Sequence, residues 1–196
     1  MKTSLIWLLS IGFIAAAIAQ DAASPKPYDD SEAYQVYSVL LPNEEVYGGT
    51  VIIQEETVGG GTDAVMGGNP SGCLFPEAAK KFKEAIADYE RQNSHNWLLQ
   101  RKFDIDTPYE IINSETIHLP FNNKAKDGWQ MFRSRYPKST GFVIFSAVGF
   151  NNDKTQAVVF TGSSCGWLCG AWSFHLMEKT NGKWHQAPGV SCHLVS

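Results

Sequence analysis

Residues 141–150 read Gly-Phe-Val-Ile-Phe-Ser-Ala-Val-Gly-Phe, with no charge and with apolar side chains at odd and even positions alike. Successive side chains of a strand point to opposite faces, so a strand apolar on both needs cover on both. This segment therefore predicts a central strand covered on both sides. A meander follows. Residues 151–155 (Asn-Asn-Asp-Lys-Thr) supply a turn, and Gln-Ala-Val-Val-Phe at 156–160 a second strand. From 172 to 179 the pattern alternates, with Trp172, Phe174 and Leu176 on one side and Ser173, His175 and Lys179 on the other. Asn181-Gly182 is the strongest two-residue hairpin signal in the chain. It predicts Glu178 opposite His185 and Lys179 opposite Trp184, the first an exposed pair of small energetic weight.

Upstream the periods are mixed. Asp29 and Glu32 suggest a capping box for a helix over 30–41, stopped by Pro42. Val51-Ile52-Ile53 predicts a strand over 50–58. A glycine-rich loop occupies 59–72; it lacks the Gly-Lys-Ser/Thr ending of a phosphate loop. Pro76 opens the clearest helix, with Phe82, Ala85, Ile86 and Tyr89 on one face and Asn93-Ser94 closing it. Strand-like segments follow at 97–103 and 109–117, then a helix over 126–136 with Trp129, Phe132 and Tyr136 facing in. The expected class is α+β: an antiparallel β-meander in the C-terminal half with helices packed on one face.

The N-terminus predicts export. Lys2 precedes an uncharged apolar run over 4–19 that ends Ala17-Ile18-Ala19, a small-x-small cleavage pattern. The expected organisation is a signal peptide over 1–19, a flexible tail over 20–29 and one domain over 30–196, secreted or periplasmic, with no membrane span after cleavage. The formal charge of −4 gives no electrostatic footprint for nucleic acid.

All 4 cysteines, Cys73, Cys165, Cys169 and Cys192, follow the leader. Past an export signal, disulfides are the expected chemistry. The local staple Cys165–Cys169 with a long-range Cys73–Cys192 tie is the leading pairing. Cys73–Cys165 with Cys169–Cys192, and Cys73–Cys169 with Cys165–Cys192, stay open. A Cu(I) or thiol redox site at Cys165-x3-Cys169, with His175 or His193 as a further ligand, is the sharper alternative. It lacks both the two-residue spacing and the helix N-terminus that activate a thiolate. Gly162-Ser163-Ser164-Cys165-Gly166 spells G-x-S-x-G, but the chain beyond it reads as a hairpin and leaves no room for a hydrolase sheet. Glu55 and Glu56 are neighbours and should point to opposite faces.

Residues 128–184 resemble a group of exported bacterial proteins. The shared elements are Trp-x-x-Phe, Tyr-Pro, Ser-x-Val-Gly-Phe, a Gln-Ala strand, a Cys-Gly-x-x-Cys-Gly-like loop and Gly-Lys-Trp. The resemblance implies export and a β-rich C-terminal core, and carries with it no reaction or catalytic residue. The functional expectation is therefore a disulfide-stabilised, non-catalytic domain that binds a ligand or a protein surface without cofactor or metal. Trp167 is the first contact candidate, and capping the core is the competing expectation for it; His175 and His185 come next. The enzymatic alternative is a hydrolase with histidine and carboxylate groups on the sheet's polar face.

Overall fold

The computed structural model describes residues 24–41, 49–59, 70, 73–122 and 127–195, with side chains up to residue 188. The expected signal peptide, most of the glycine-rich loop and the side chains of Cys192 and His193 lie outside the described residues.

The described elements are β1 (Lys26–Pro27), α1 (Ser31–Leu40), β2 (Val51–Gln54), α2 (Pro76–Lys81), α3 (Lys83–Gln92), β3 (Trp97–Leu98), β4 (Tyr109–Ile112), α4 (Ser114–His118), α5 (Gly128–Arg135), β5 (Phe142–Phe145), β6 (Gly149–Phe150), β7 (Gln156–Gly166), β8 (Cys169–Thr180) and β9 (Lys183–Val195). The fold is α+β. Its main sheet has seven strands in the order β4-β2-β5-β7-β8-β9, with β6 beside β7. From β5 to β9 every pairing is antiparallel. The β2 pairings, with β4 and with β5, are parallel. Parallel neighbours need long crossovers, and the helices between β2 and β4 and between β4 and β5 supply them.

The expected one-sided helical cover is only half of what forms. Val51, Ile53, Val143, Phe145 and Val159 pack beneath Ala33, Tyr34, Val36 and Tyr37 of α1. Ile52, Phe142, Ile144 and Val158 pack beneath Phe82, Ile86 and Tyr89, and beneath Trp129 and Phe132 of α5. The reason lies in the opening segment: with all of residues 141–150 buried, both faces demand cover. Packing also begins before residue 30. Lys26–Pro27 pairs with Trp97–Leu98, and Tyr28 is buried.

Three local expectations change. Asp30, not Asp29, caps α1 by accepting from the Glu32 amide at 3.0 Å, which frees the Glu32 side chain. The helix from Pro76 breaks at Phe82, whose ring is buried. The strand read over 109–117 ends at Ile112, because Asn113 caps α4 by accepting from the Thr116 amide. The hairpin register holds: Glu178 lies opposite His185 and Lys179 opposite Trp184. Asn181 and Gly182 both have positive φ, at 51° and 77°, as that turn requires.

The long apolar strand is interrupted at Ser146-Ala147-Val148, between β5 and β6. Ser146 keeps one cross-strand bond, its N–H donating to the Phe160 carbonyl (3.0 Å), and the other buried peptide groups here find partners outside the ladder. The Ser146 carbonyl accepts from the Tyr37 hydroxyl (2.8 Å). Asn93 clasps Ala147, accepting its N–H (2.8 Å) and donating to its carbonyl (3.0 Å). The Val148 N–H donates to the Tyr28 hydroxyl (3.0 Å). Beyond the break, Gly149 lies so close to α3 that a Cβ there would come within 2.2 Å of the Tyr89 nitrogen.

Glu32 ties α1 to the last hairpin, accepting from Lys179 Nζ (2.7 Å) and Trp184 Nε1 (2.9 Å). Partial desolvation pulls its carboxyl upward, but these two hydrogen bonds and the Lys179 charge together hold it below the ordinary carboxylate value.

Tyr37→Phe should cost about 1–3 kcal/mol, because it strands a buried carbonyl. An urea midpoint unchanged from wild type would show that the break does not depend on that hydroxyl. The Glu32 contribution is present above its unfolded value near 4.5 and fades as pH falls through the lower folded value. Stability measured against pH should therefore fall less steeply on the acid side in Glu32→Gln than in the wild type.

Candidate functional site

The sheet's parallel strands end at one edge of a cavity of about 440 Å3. Open sheets place ligand crevices at the carboxyl ends of parallel strands, and this cavity follows that rule. Gln54 is the last residue of β2, and Ser114 stands two residues past the end of β4. Phe142 and Ile144 of β5 make the floor, with Trp129 of α5 and Phe121 beside them. The Trp129 and Phe142 rings stack at 6.0 Å, and Phe121 meets Trp129 edge-on at 5.0 Å.

The polar wall comes from two segments. After β2 the chain is pinned across the sheet end. Gln54 Nε2 donates to the Glu56 carbonyl (2.9 Å), and the Val58 N–H donates to the Phe145 carbonyl (2.8 Å). Glu56 then reaches Ser114, whose hydroxyl donates to Oε2 at 2.7 Å. His118 follows Ser114 by four residues, so both lie on one face of α4. Its ring stands edge-on to Phe142 at 5.9 Å. Neither nitrogen has a hydrogen-bond partner among the described residues. Partial desolvation holds the pKa of this solvent-exposed ring below the ordinary histidine value. Ser164 closes the cavity from β7, opposite Phe142 in the ladder.

Ser164 is the serine of the G-x-S-x-G string, and the structure bears out the reading against a hydrolase elbow. Gly162, Ser163 and Ser164 are paired on both sides, with β5 and with β8, in extended strand. Cys165 is the extra residue of a bulge between Ser164 and Gly166. It is joined to Cys169 in a disulfide, with Cα atoms 5.1 Å apart. Both sulfurs are thus in the bridge and not available as thiolate ligands. Cys73 is also disulfide-bonded, and the Cys192 end of the expected tie lies outside the described side chains. Among the described residues, no three His, Cys, Asp or Glu side chains gather to hold a metal ion. No described helix is long and apolar enough to cross a membrane.

The cavity does not include His175 or His185, and the side chain of His193 lies outside the described residues. His175 Nδ1 faces Gln186 Nε2 (3.2 Å) and Nε2 faces the Thr161 hydroxyl (2.8 Å), which occupies both nitrogens. Since the amide donates to Nδ1, the proton sits on Nε2 and is given to Thr161. His185 bonds Thr180 (2.7 Å), while Glu178 pairs with Lys81 instead, at 2.7 Å. The expected Glu178–His185 neighbours share a register but no bond.

Trp167 does not cap the core. It is 70% exposed and Leu168 is 89% exposed, together forming the two-residue tip between β7 and β8. The contact reading of Trp167 is the one its exposure favours.

Sequence reasoning missed Glu56, Ser114 and His118. The available signal was Asn113-Ser114-Glu115-Thr116, a helix start that puts Ser114 and His118 on one face.

Compared with known protein families, curated proteins and solved structures, the chain matches none. Its site is therefore argued from its own atoms.

Because so little of Trp167 is buried, Trp167→Ala should leave the unfolding free energy within about 0.5 kcal/mol of wild type. A larger loss, measured by calorimetry, would restore the core-capping reading.

Proposed function

We propose that the protein is an exported, disulfide-stabilised binding domain that holds a small amphipathic ligand in the cavity over Phe142. One observation carries this reading: a pocket with an aromatic floor and a histidine whose ring nitrogens have no partner among the described residues. Preformed ligand sites have this composition, an apolar lining with a few placed polar groups. The volume, about 440 Å3, lies within the range of such sites. The apolar leader, the Cys165–Cys169 bridge and the bonded state of Cys73 support an oxidising, extracytoplasmic setting.

A non-catalytic role is supported by the hydrogen-bond pattern. A nucleophilic serine needs a base within bonding reach. Here the base within reach of Ser114 is only the weakly basic Glu56 carboxylate, to which its hydroxyl donates, and among the described residues neither Ser114 nor Ser164 bonds His118. A hydrolase remains the second reading, moved from His175 to His118, because imidazole, carboxylate and hydroxyl share one cavity. Ester turnover above the buffer rate that disappears in His118→Ala would favour it.

The binding reading is tested by titrating a set of small ring compounds into labelled protein and following amide NMR shifts. Shifts should cluster at residues 56–59, 114–118 and 142–144. Ser164→Trp, which fills the cavity, should abolish them without unfolding the protein. Shifts that persist in that variant, or that centre on the hairpin tip, would place binding elsewhere.

A further inference from the structure

Resting on that reading, we infer that the cavity selects ligands bearing a protonated amine on an aromatic or aliphatic body. Among the described residues that line it, Glu56 is the one formally charged side chain; no lysine or arginine reaches it. The carboxylate is held in place before any ligand arrives. Ser114 bonds Oε2, and Oε1 is left without a partner among the described residues. The backbone on which Glu56 sits is fixed as well, since Gln54 donates to its carbonyl (2.9 Å). A charge-assisted hydrogen bond from an ammonium to Oε1 would satisfy the acceptor that is left.

The rest of the lining favours a cation. The faces of aromatic rings attract positive charge, and Phe121, Trp129 and Phe142 bound the cavity. Partial desolvation lowers the His118 pKa, which disfavours a competing positive charge there. In the neutral ring one nitrogen carries a lone pair, a second acceptor for an ammonium proton. An anionic ligand would meet the opposite: a fixed carboxylate and no described cation. A ligand of about ten to fifteen heavy atoms suits a site of this volume, with its body on Phe142 and Ile144 and its amine at Glu56.

The test uses three matched probes, 2-phenylethylamine, 2-phenylethanol and 3-phenylpropionate, titrated calorimetrically into the full-length mature protein at pH 7. The amine should bind at least about tenfold more tightly than the alcohol, and the carboxylate most weakly. Glu56→Gln keeps an acceptor for Ser114 and should leave the thermal midpoint in place. In that variant the amine should fall to the affinity of the alcohol, whose own affinity stays unchanged. Equal binding of amine and alcohol by the wild type would overturn the amine preference while leaving the cavity a binding site. A preference that survives in Glu56→Gln would overturn the assignment of the amine to Glu56. Binding of none of the three would overturn both readings.

Discussion

The architecture depends on how one break in a buried strand is satisfied. Between β5 and β6 the chain leaves the ladder after the Ser146 N–H, in a place water does not reach. A buried peptide group without a partner costs of the order of a hydrogen bond or more, so the break can exist only with substitutes supplied. They come from separate parts of the chain: Tyr28 after β1, Tyr37 on α1 and Asn93 at the end of α3. Desolvation pushes both tyrosines well above their ordinary pKa, so they remain neutral donors and acceptors. The break thus clamps α1 onto one face of the sheet and α3 onto the other. It also makes room for Gly149 to meet the α3 backbone.

The same clamp reaches the cavity. Asn93 caps α3 by donating to the Tyr89 carbonyl (2.8 Å) while it holds Ala147. Gly59, on the cavity wall, lies against it: a Cβ on Gly59 would sit 3.1 Å from the Asn93 Cβ. The point where the glycine-rich segment leaves the sheet is therefore set by the residue that repairs the strand. Fold and site share an anchor, and a change at Asn93 would be felt in both.

How much of this the sequence disclosed depends on the range of each interaction. Asn181-Gly182 determined a register because the signal and its consequence are neighbours. The two-faced apolar run at 141–150 rightly demanded a buried central strand. It could not say where the strand breaks, since the compensating tyrosine Tyr28 lies 120 residues away from Val148. Parallel pairing of β2 with β4 and β5 was hidden for a related reason: it is set by which helices cross over, and α4 had been read as strand. The cavity was hidden most completely. Its key bond joins Ser114 to Glu56 across 58 positions, and neither residue stands in a motif. Glu56 had drawn notice only as half of an adjacent pair. In the structure Glu56 lines the cavity and its neighbour Glu55 does not.

The stapled hairpin that dominates the sequence to the eye has a different relation to the site. Ser164 lines the cavity, and one residue later the bulge at Cys165 breaks the alternation of β7. A bulge increases local twist and re-aims the strand beyond it. The disulfide closes the loop around that irregularity, a constraint of about 2 kcal/mol on the chain-entropy account. Arg133 of α5 adds a bond to the Cys165 carbonyl at 3.4 Å. The staple therefore fixes the end of a strand whose inner residue, Ser164, faces the pocket and whose tip, Trp167-Leu168, faces solvent. The cavity and the exposed tip lie within a few residues of each other on one hairpin. A partner at the tip and a ligand at Ser164 would act on the same short stretch of backbone.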